Sequence, residues 1–376
     1  MKIKVLIVIS NMEFGGAQRQ IVELVNNVDQ EKFEIHVCSL SEYAPLAEQF
    51  NDGVYFSIVD KKKKFDFSVV TQLSHMIKKY SIDIIHSYLF DAEIACRLAA
   101  FISFSGVKVI GSERNTNYNL RIHQKIAIAL TKYFVDIIIA NSTTGAIFNS
   151  KLSRLTIDKY RVIYNGVNTE KFTLKNKNET KKNLNLPLNN QIIGMFASFK
   201  NQKNHPLLLQ AFSEILPKHP NTTLLLVGDK LHGGMHGSDD YNRLIHNMIT
   251  DLNLHDNCVC LGNRVDVENI YPACDFTVLP SLYEGTPNVL LESMACGKPV
   301  IATDVSDNAK IITNNINGLL IESENKAQLK NALIIMLDEH NIEKMTTEAR
   351  SSIMNRFSSK ILATNTQNVY IEALKG

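Results

Sequence analysis

The stretch Lys4–Val28, KVLIVISNMEFGGAQRQIVELVNNV, decides how the rest of the chain is read. Its opening run Val5–Ile9 is apolar at every position, with no polar alternation. That pattern suits a strand covered on both faces, as in a parallel sheet. Gly15 and Gly16 follow. Ile21, Leu24, Val25 and Val28 then recur at helical spacing, so a helix is predicted from about Ala17 to Val28. Strand, glycine turn and helix are the first half of a β-α-β unit. The apolar run is short and no small-residue cleavage site follows it, so a first strand is expected there rather than a secretory signal.

The same alternation continues along the chain. Strands are expected at Glu34–Leu40, Asp83–His86, Lys108–Gly111, Ile137–Ala140 and Arg161–Tyr164, with a helical stretch between each. After the turn signal Asn165-Gly166, the polar segment 173–190 reads as a linker. The pattern then restarts. Strands are expected at Gln191–Ala197, Thr222–Val227, Cys258–Leu261, Phe276–Pro280, Pro299–Thr303 and Gly318–Ile321. Helices are expected at His205–Leu216, Asp239–Leu252, Asp266–Ala273 and Pro287–Cys296. The fold class is therefore α/β, with two doubly wound Rossmann-like domains at 1–168 and 169–356. An amphipathic closing helix at 357–376 carries Ile361, Val369, Tyr370 and Leu374. A ligand is expected in the cleft between the domains, at the carboxyl ends of the strands.

The 376 residues are 45% hydrophobic and 21% charged, a soluble globular composition that excludes global disorder. Forty basic residues stand against 38 acidic ones. Residues 1–165 hold 20 against 16, a mild excess that favours an anionic partner only weakly. Basic residues are scattered, so no nucleic acid is expected. The longest candidate for a membrane span, Lys125–Ala140, is broken by Lys132 and Asp136. Six cysteines show neither a CxxC pair nor a zinc-like spacing. They read as buried free thiols in a reducing cytoplasm, with no metal site.

Four motifs carry chemistry. Gly15-Gly16 opens a helix after the first strand, where backbone N–H groups can meet a diphosphate; the alternative is an ordinary tight turn. It is neither GxGxxG nor a Walker loop. The second motif, Tyr283–Glu292, holds Glu284 in a loop, then Gly285, Thr286, Pro287 and Asn288, then Glu292 inside the following helix. Pro287 suits the first helical turn. The two carboxylates read either as acceptors for sugar hydroxyls or as a helix cap and a structural ion pair. The third motif, Ser198–Pro206, puts Lys200 and Lys203 at a strand's carboxyl end, where phosphate binds, or else forms a solvated basic loop. The fourth, Gly262–Val267, places Arg264 at a turn that can read a nucleobase, with Asp266 as a helix N-cap.

Together and in this order, these elements resemble the family 4 retaining glycosyltransferases of the GT-B superfamily. The most specific part is Tyr283–Glu292 with the trailing SMACGKPVIAT at 293–303, which is similar to the family's E-x7-E block. Asn165-Gly166-Val167-Asn168, with Phe172, resembles its interdomain segment. The resemblance implies two facing Rossmann-like domains, with the chain end crossing back to the first. It implies a nucleotide-sugar donor, UDP-linked, and transfer to a glycan or lipid-linked acceptor in cell-surface polysaccharide or lipopolysaccharide assembly. Carried over, Gly16, beside Gly15, approaches the donor diphosphate and Lys203 neutralises it. Glu292 accepts from the ribose, and Glu284 holds hydroxyls of the transferred sugar. The amides of Gly285 to Pro287 line sugar and phosphate, Asn288 completes the loop, and Arg264 lies near the base. No metal or other cofactor is implied.

Two positions depart from the family pattern. Ser198 stands where an arginine is usual five residues before the phosphate lysine, and Lys200 is a candidate replacement for its charge. Arg114, in Ser112–Thr116, stands where many relatives have histidine, and is expected to face the donor sugar or acceptor as a third catalytic group beside Glu284 and Lys203. His86 and Tyr88 either line an acceptor site or pack structurally. Lys61–Lys64, with Phe65 and Phe67, is a solvated loop or a contact with anionic lipid at about 1 kcal/mol per charge. A cytoplasmic protein, peripheral at the inner face of the plasma membrane, is expected. Two other functions use the same architecture: a sugar-nucleotide epimerase, which the E-x7-E block disfavours, and a non-catalytic two-lobed sugar-binding protein.

Overall fold

The computed structural model describes residues 2–63, 66–114, 120–229 and 238–376. Lys64 and Phe65 of the basic run, and Asn115 and Thr116 beyond Arg114, lie outside the described residues. The chain divides into two compact units, Met1–Gly166 with Ser359–Gly376, and Val167–Ser358.

The first unit contains β1 (Ile3–Ile9), β2 (Phe33–Ser39), β3 (Val54–Ile58), β4 (Ile84–Tyr88), β5 (Lys108–Glu113), β6 (Ile137–Ala140) and β7 (Tyr160–Val162). Its helices are α1 (Gly16–Val25), α2 (Phe67–Tyr80), α3 (Phe90–Ser103), α4 (Ile122–Thr131) and α5 (Thr143–Ser153). The strands form one sheet in the order β3-β2-β1-β4-β5-β6-β7. The central pairings, β1 with β2 and β1 with β4, are parallel. Val5 to Ile9 are each fully buried. Val5, Ile7 and Ile9 join one core with Ile21, Leu24 and Val25 of α1, while Leu6 and Val8 join another with Val70, Leu73 and Cys96 of α2 and α3. Two covered faces are the reason the strand needs no polar alternation. The strand β3 was not expected from the sequence. It is a sheet edge with Tyr55, Phe56 and Ile58 exposed, so neither alternation nor a continuous buried run marks it.

The second unit contains β8 (Gln191–Phe196), β9 (Thr222–Val227), β10 (Cys258–Cys260), β11 (Phe276–Leu279), β12 (Val300–Thr303) and β13 (Gly318–Ile321). With them are α6 (Lys177–Asn183), α7 (His205–Ile215), α8 (Ser238–Asp251), α9 (Asn288–Ala295), α10 (Asn308–Ile311), α11 (Lys326–Met336) and α12 (Glu339–Arg356). The sheet order is β10-β9-β8-β11-β12-β13, the doubly wound arrangement again. The polar segment 173–190 is not a free linker. Asn176 caps α6 by accepting from the Glu179 N–H, and Lys181, almost fully buried, donates from Nζ to the carbonyls of Leu188 at 3.1 Å and Asn190 at 2.6 Å. The helix expected at Asp266–Ala273 is two single turns, Val267–Asn269 and Tyr271–Ala273. Pro272 has no N–H with which to continue a helical ladder.

A last helix, α13 (Ser359–Lys375), belongs to the first unit and packs on α1. Its buried face is Leu362, Ala363, Thr366, Val369, Tyr370 and Ala373. Ile361 is only half-buried and Leu374 is exposed, so the apolar stripe is rotated from the one expected. Gly166 is needed where the chain meets this helix: a Cβ there would stand 2.8 Å from Leu362 Cβ and 3.0 Å from Ser359 Cα. Gln20 holds the same residue, accepting from its N–H and donating to its carbonyl, both at 2.8 Å.

Candidate functional site

In the second unit, β8 and β11 are neighbours, and the sheet order reverses between them. The loops that leave their carboxyl ends therefore share one place, where α/β sheets bind ligands. These are the loops carrying Ser198–Asn204 and Ser281–Pro287. They are tied together by the Leu282 N–H donating to the Gln202 carbonyl and by Gln202 Nε2 donating to the Tyr283 carbonyl, both at 2.8 Å. Lys203 ends a single helical turn, Asn201–Lys203, and Asn204 follows with φ 53°, a left-handed conformation that asparagine tolerates.

That turn aims Lys203 Nζ at Glu284 Oε1, 2.5 Å away. The side chains are 16% and 7% exposed. Removing two charges from water is costly, and each compensates the other only while both are present. Ser306, after β12 and with φ 51°, adds a third loop: its hydroxyl donates to the Glu284 carbonyl. Glu284 therefore does not cap α9. Its partner is Lys203, which replaces the capping alternative. Lys200 is half-buried beside them. Burial, then the charge of Lys203, lowers its pKa below the ordinary lysine value, and Glu284 partly offsets this. Ser198 is half-buried on the same loop.

Gly285, Thr286 and Pro287 are buried, and Asn288 is half-buried where α9 begins. Pro287 stands at the N-cap, one position before the helical turn expected for it. Glu292 is buried in α9, and its Oε2 accepts from the Tyr271 hydroxyl at 2.9 Å. The Tyr271 ring stacks on Phe196 at the end of β8, with 3.8 Å between centroids. Arg264 forms a two-pronged pair with Asp266, at 2.8 and 2.6 Å. Asp266 stands at the N-cap of the Val267–Asn269 turn as expected, but its side chain is taken by Arg264 and caps no backbone N–H. The second unit thus brings together Lys203, Glu284, Lys200 and the Gly285–Asn288 loop. Gln202, inside the third motif, ties the two loops together, while Tyr271 and Ser306 carry no motif signal of their own.

In the first unit, β1 and β4 are the neighbours at which the order reverses. Gly15 is the N-cap of α1, extended and without a side-chain cap, and Gly16 opens the helix. His86 and Tyr88 lie on β4, and both are buried. His86 Nδ1 is 2.8 Å from the Tyr370 hydroxyl of α13. Burial, with the Arg114 charge adding to it, pushes the His86 pKa down to about 3. The acceptor-lining expectation for these two is therefore corrected: both are inside, and His86 joins β4 to the closing helix. Arg114, half-buried at the end of β5, donates to Asn165 Oδ1, and its guanidinium lies 5.7 Å from the Tyr88 ring centroid. Of the basic run, Lys61 pairs with Asp91 at 2.6 Å, while Lys62 and Lys63 are exposed. Among the described residues, no group of His, Cys, Asp and Glu has metal-holding geometry.

Comparison with known proteins covers both units. Glycosyltransferase Family 4 matches residues 14–171, and Glycosyl transferases group 1 matches residues 176–352. A UDP-Gal:alpha-D-GlcNAc-diphosphoundecaprenol alpha-1,3-galactosyltransferase of Escherichia coli is 28% identical over 95% of this chain and 94% of its own length. The capsular polysaccharide biosynthesis glycosyltransferase CapM of Staphylococcus aureus is 26% identical over 92% of each chain. Among solved structures, Anabaena HepE in complex with UDP superposes with a TM-score of 0.85 at 20% identity, covering 99% of this chain and all of that one.

Proposed function

This chain belongs to glycosyltransferase family 4, and from that membership we propose that its second unit binds a UDP-linked sugar and transfers the sugar with retention of configuration. It is a hexosyl- or N-acetylhexosaminyl-transferase of the GT-B class. The acceptor in this reading is a glycan or a lipid-linked sugar of cell-surface polysaccharide assembly; the Escherichia coli relative's name describes galactosyl transfer to a diphosphoundecaprenol-linked GlcNAc, and the Staphylococcus aureus relative's name gives capsular polysaccharide biosynthesis.

The observation that carries the proposal is the buried Lys203–Glu284 pair at the β8/β11 loops. A nucleoside diphosphate gains negative charge as the bond from the sugar's C1 to the phosphate oxygen breaks. A lysine held in a partly dry loop stabilises that charge more than one in water does. When the diphosphate takes the Lys203 ammonium, Glu284 must find other donors, and the hydroxyls of the sugar are suitable ones. The acceptor oxygen bonds C1 on the face the diphosphate leaves, and its proton passes to the departing phosphate oxygen. Lys200 supplies charge where the family's arginine is replaced by Ser198. Glu292, oriented by Tyr271, accepts from ribose hydroxyls, and Arg264 lies by the base. Gly15 and Gly16 offer backbone N–H groups to the diphosphate, and Arg114 is held by Asn165 to serve sugar or acceptor. Lysine charge meets the leaving group, so turnover is expected to persist in a chelator.

No helix of the described residues is long and apolar enough to cross a membrane. The proposed location is the cytoplasmic face of the plasma membrane, with peripheral contact. Incubation with UDP- and GDP-sugars tests the reaction. Release of UDP that accelerates with a lipid-diphosphate acceptor supports it. A changed sugar with the nucleotide still attached would indicate an epimerase, and binding without either outcome a non-catalytic protein.

A further inference from the structure

The helix α4 in the first unit turns its apolar side outward. Ile122, Ile126 and Leu130 are 78%, 54% and 71% exposed. They recur every four residues and so share one flank of the helix. His123, Gln124, Ala127 and Ile128 on the opposite flank are half-buried, and Thr131 is buried. An ordinary surface helix has the reverse pattern, apolar side inward. The exposed flank continues into Tyr133, then to Phe101 and Phe104 at the end of α3; Phe134 stacks on Phe101 with 4.7 Å between centroids. Exposed aromatics clustered in this way mark an interaction surface rather than scattered surface residues.

Charge identifies the partner. Arg121 and Lys125 are exposed along the edge of the apolar flank, and Lys132 sits 5.0 Å from the Tyr133 ring centroid. From Arg114 to Val135 the sequence contains no acidic residue, a long gap in a chain with 38 of them. An apolar strip bordered by cations, with a tyrosine beside it, matches an anionic bilayer: acyl chains take the apolar flank and lipid phosphates take the cations. We propose that α4 with the end of α3 is the surface by which this protein lies on an anionic phospholipid membrane. This rests on the proposed peripheral location and names its contact. In the competing basic run, Lys61 is already paired with Asp91, and Lys62 and Lys63 are the alternative contact that the test separates.

The test is sedimentation of the full chain with vesicles of phosphatidylglycerol in phosphatidylcholine, and of phosphatidylcholine alone. The wild-type chain is expected to bind the anionic vesicles, less so in high salt. The double variant Ile126→Ser, Leu130→Ser should lower binding about tenfold or more, by loss of buried apolar area. Lys125→Gln and Lys132→Gln should each lower it about fivefold and flatten the salt dependence. The altered apolar positions and Lys125 are exposed, and thermal melting of each variant checks that the fold is kept. Unchanged binding by the α4 variants overturns the proposal, as does binding abolished only by Lys62→Gln, Lys63→Gln. A wild-type dimer that the Ile126→Ser, Leu130→Ser chain dissolves, with no vesicle binding, would assign the surface to a second copy instead. If the wild type ignores vesicles but releases UDP from a UDP-sugar, the membrane surface fails while the transferase reading stands.

Discussion

Lys203 and Glu284 hold each other in a site that must open to a ligand. Lys203→Ala strips the partner from a buried carboxylate, so the second unit should lose about 3 kcal/mol of stability. Turnover should fall about 100-fold or more through loss of charge at the leaving group. Adding Glu284→Ala should restore much of the stability but none of the turnover; recovery of both in the double variant would reduce the pair to a structural device. His86 gives a second prediction at this scale. Its ordinary pKa of 6.5 drops to about 3 in the fold. Between those values the unfolded chain holds a proton that the native chain does not, so the contribution of His86 is complete above about 6.5 and is lost as pH falls toward 3. Glu113, pushed up to about 8 chiefly by burial and then by Glu93, acts in the opposite sense and loses stability as pH rises from its ordinary 4.5. Urea melts of the wild type and His86→Gln at pH 7.5 and 5 separate the two, because the difference isolates His86. The gap between the two chains should narrow at pH 5. The placement of Lys203 and Glu284 in loops at strand carboxyl ends was legible because each follows an apolar strand run. The burial of His86 was not, because its partner Tyr370 lies 284 residues away.

Elements were legible where packing leaves a mark on neighbouring residues. The continuous run in β1 and the periodic α1 record two covered faces and one. The short edge strand β3 records neither, and α6 is so polar that its buried Lys181 looks like part of a linker. Gly166 shows how one residue can set the junction of two elements. Read from sequence, Asn165-Gly166 is a turn. In the structure it is the point where the backbone runs against α13, with room for no Cβ. Gly166→Ala should therefore cost the first unit about 1–3 kcal/mol by overpacking. A thermal melt unchanged within error would mean that Leu362 moves aside freely.

At the scale of the molecule, both sheets have the order implied by alternating strands and helices, because right-handed crossovers leave few alternatives. The division of the chain is less apparent locally. The first unit is built from both ends of the sequence, and the second lies entirely within it. Deleting residues 359–376 should strip α1 and β4 of Leu362, Val369 and Tyr370 and open the first unit to proteolysis. The fragment 167–358 should stay protected, as mass spectrometry of the digest would show. Both units cleaved at the same rate would contradict this.

The Tyr370 hydroxyl beside His86 also imposes an order in time. A ribosome delivers the chain from its amino end, so His86 emerges long before the residue that packs over it. Until α13 emerges, the first unit has an uncovered flank in its core, while the second can already close around its own sheet. The unit begun first is therefore completed only after residues 359–376 emerge, and a chain truncated before residue 359 leaves it most exposed to proteases and chaperones.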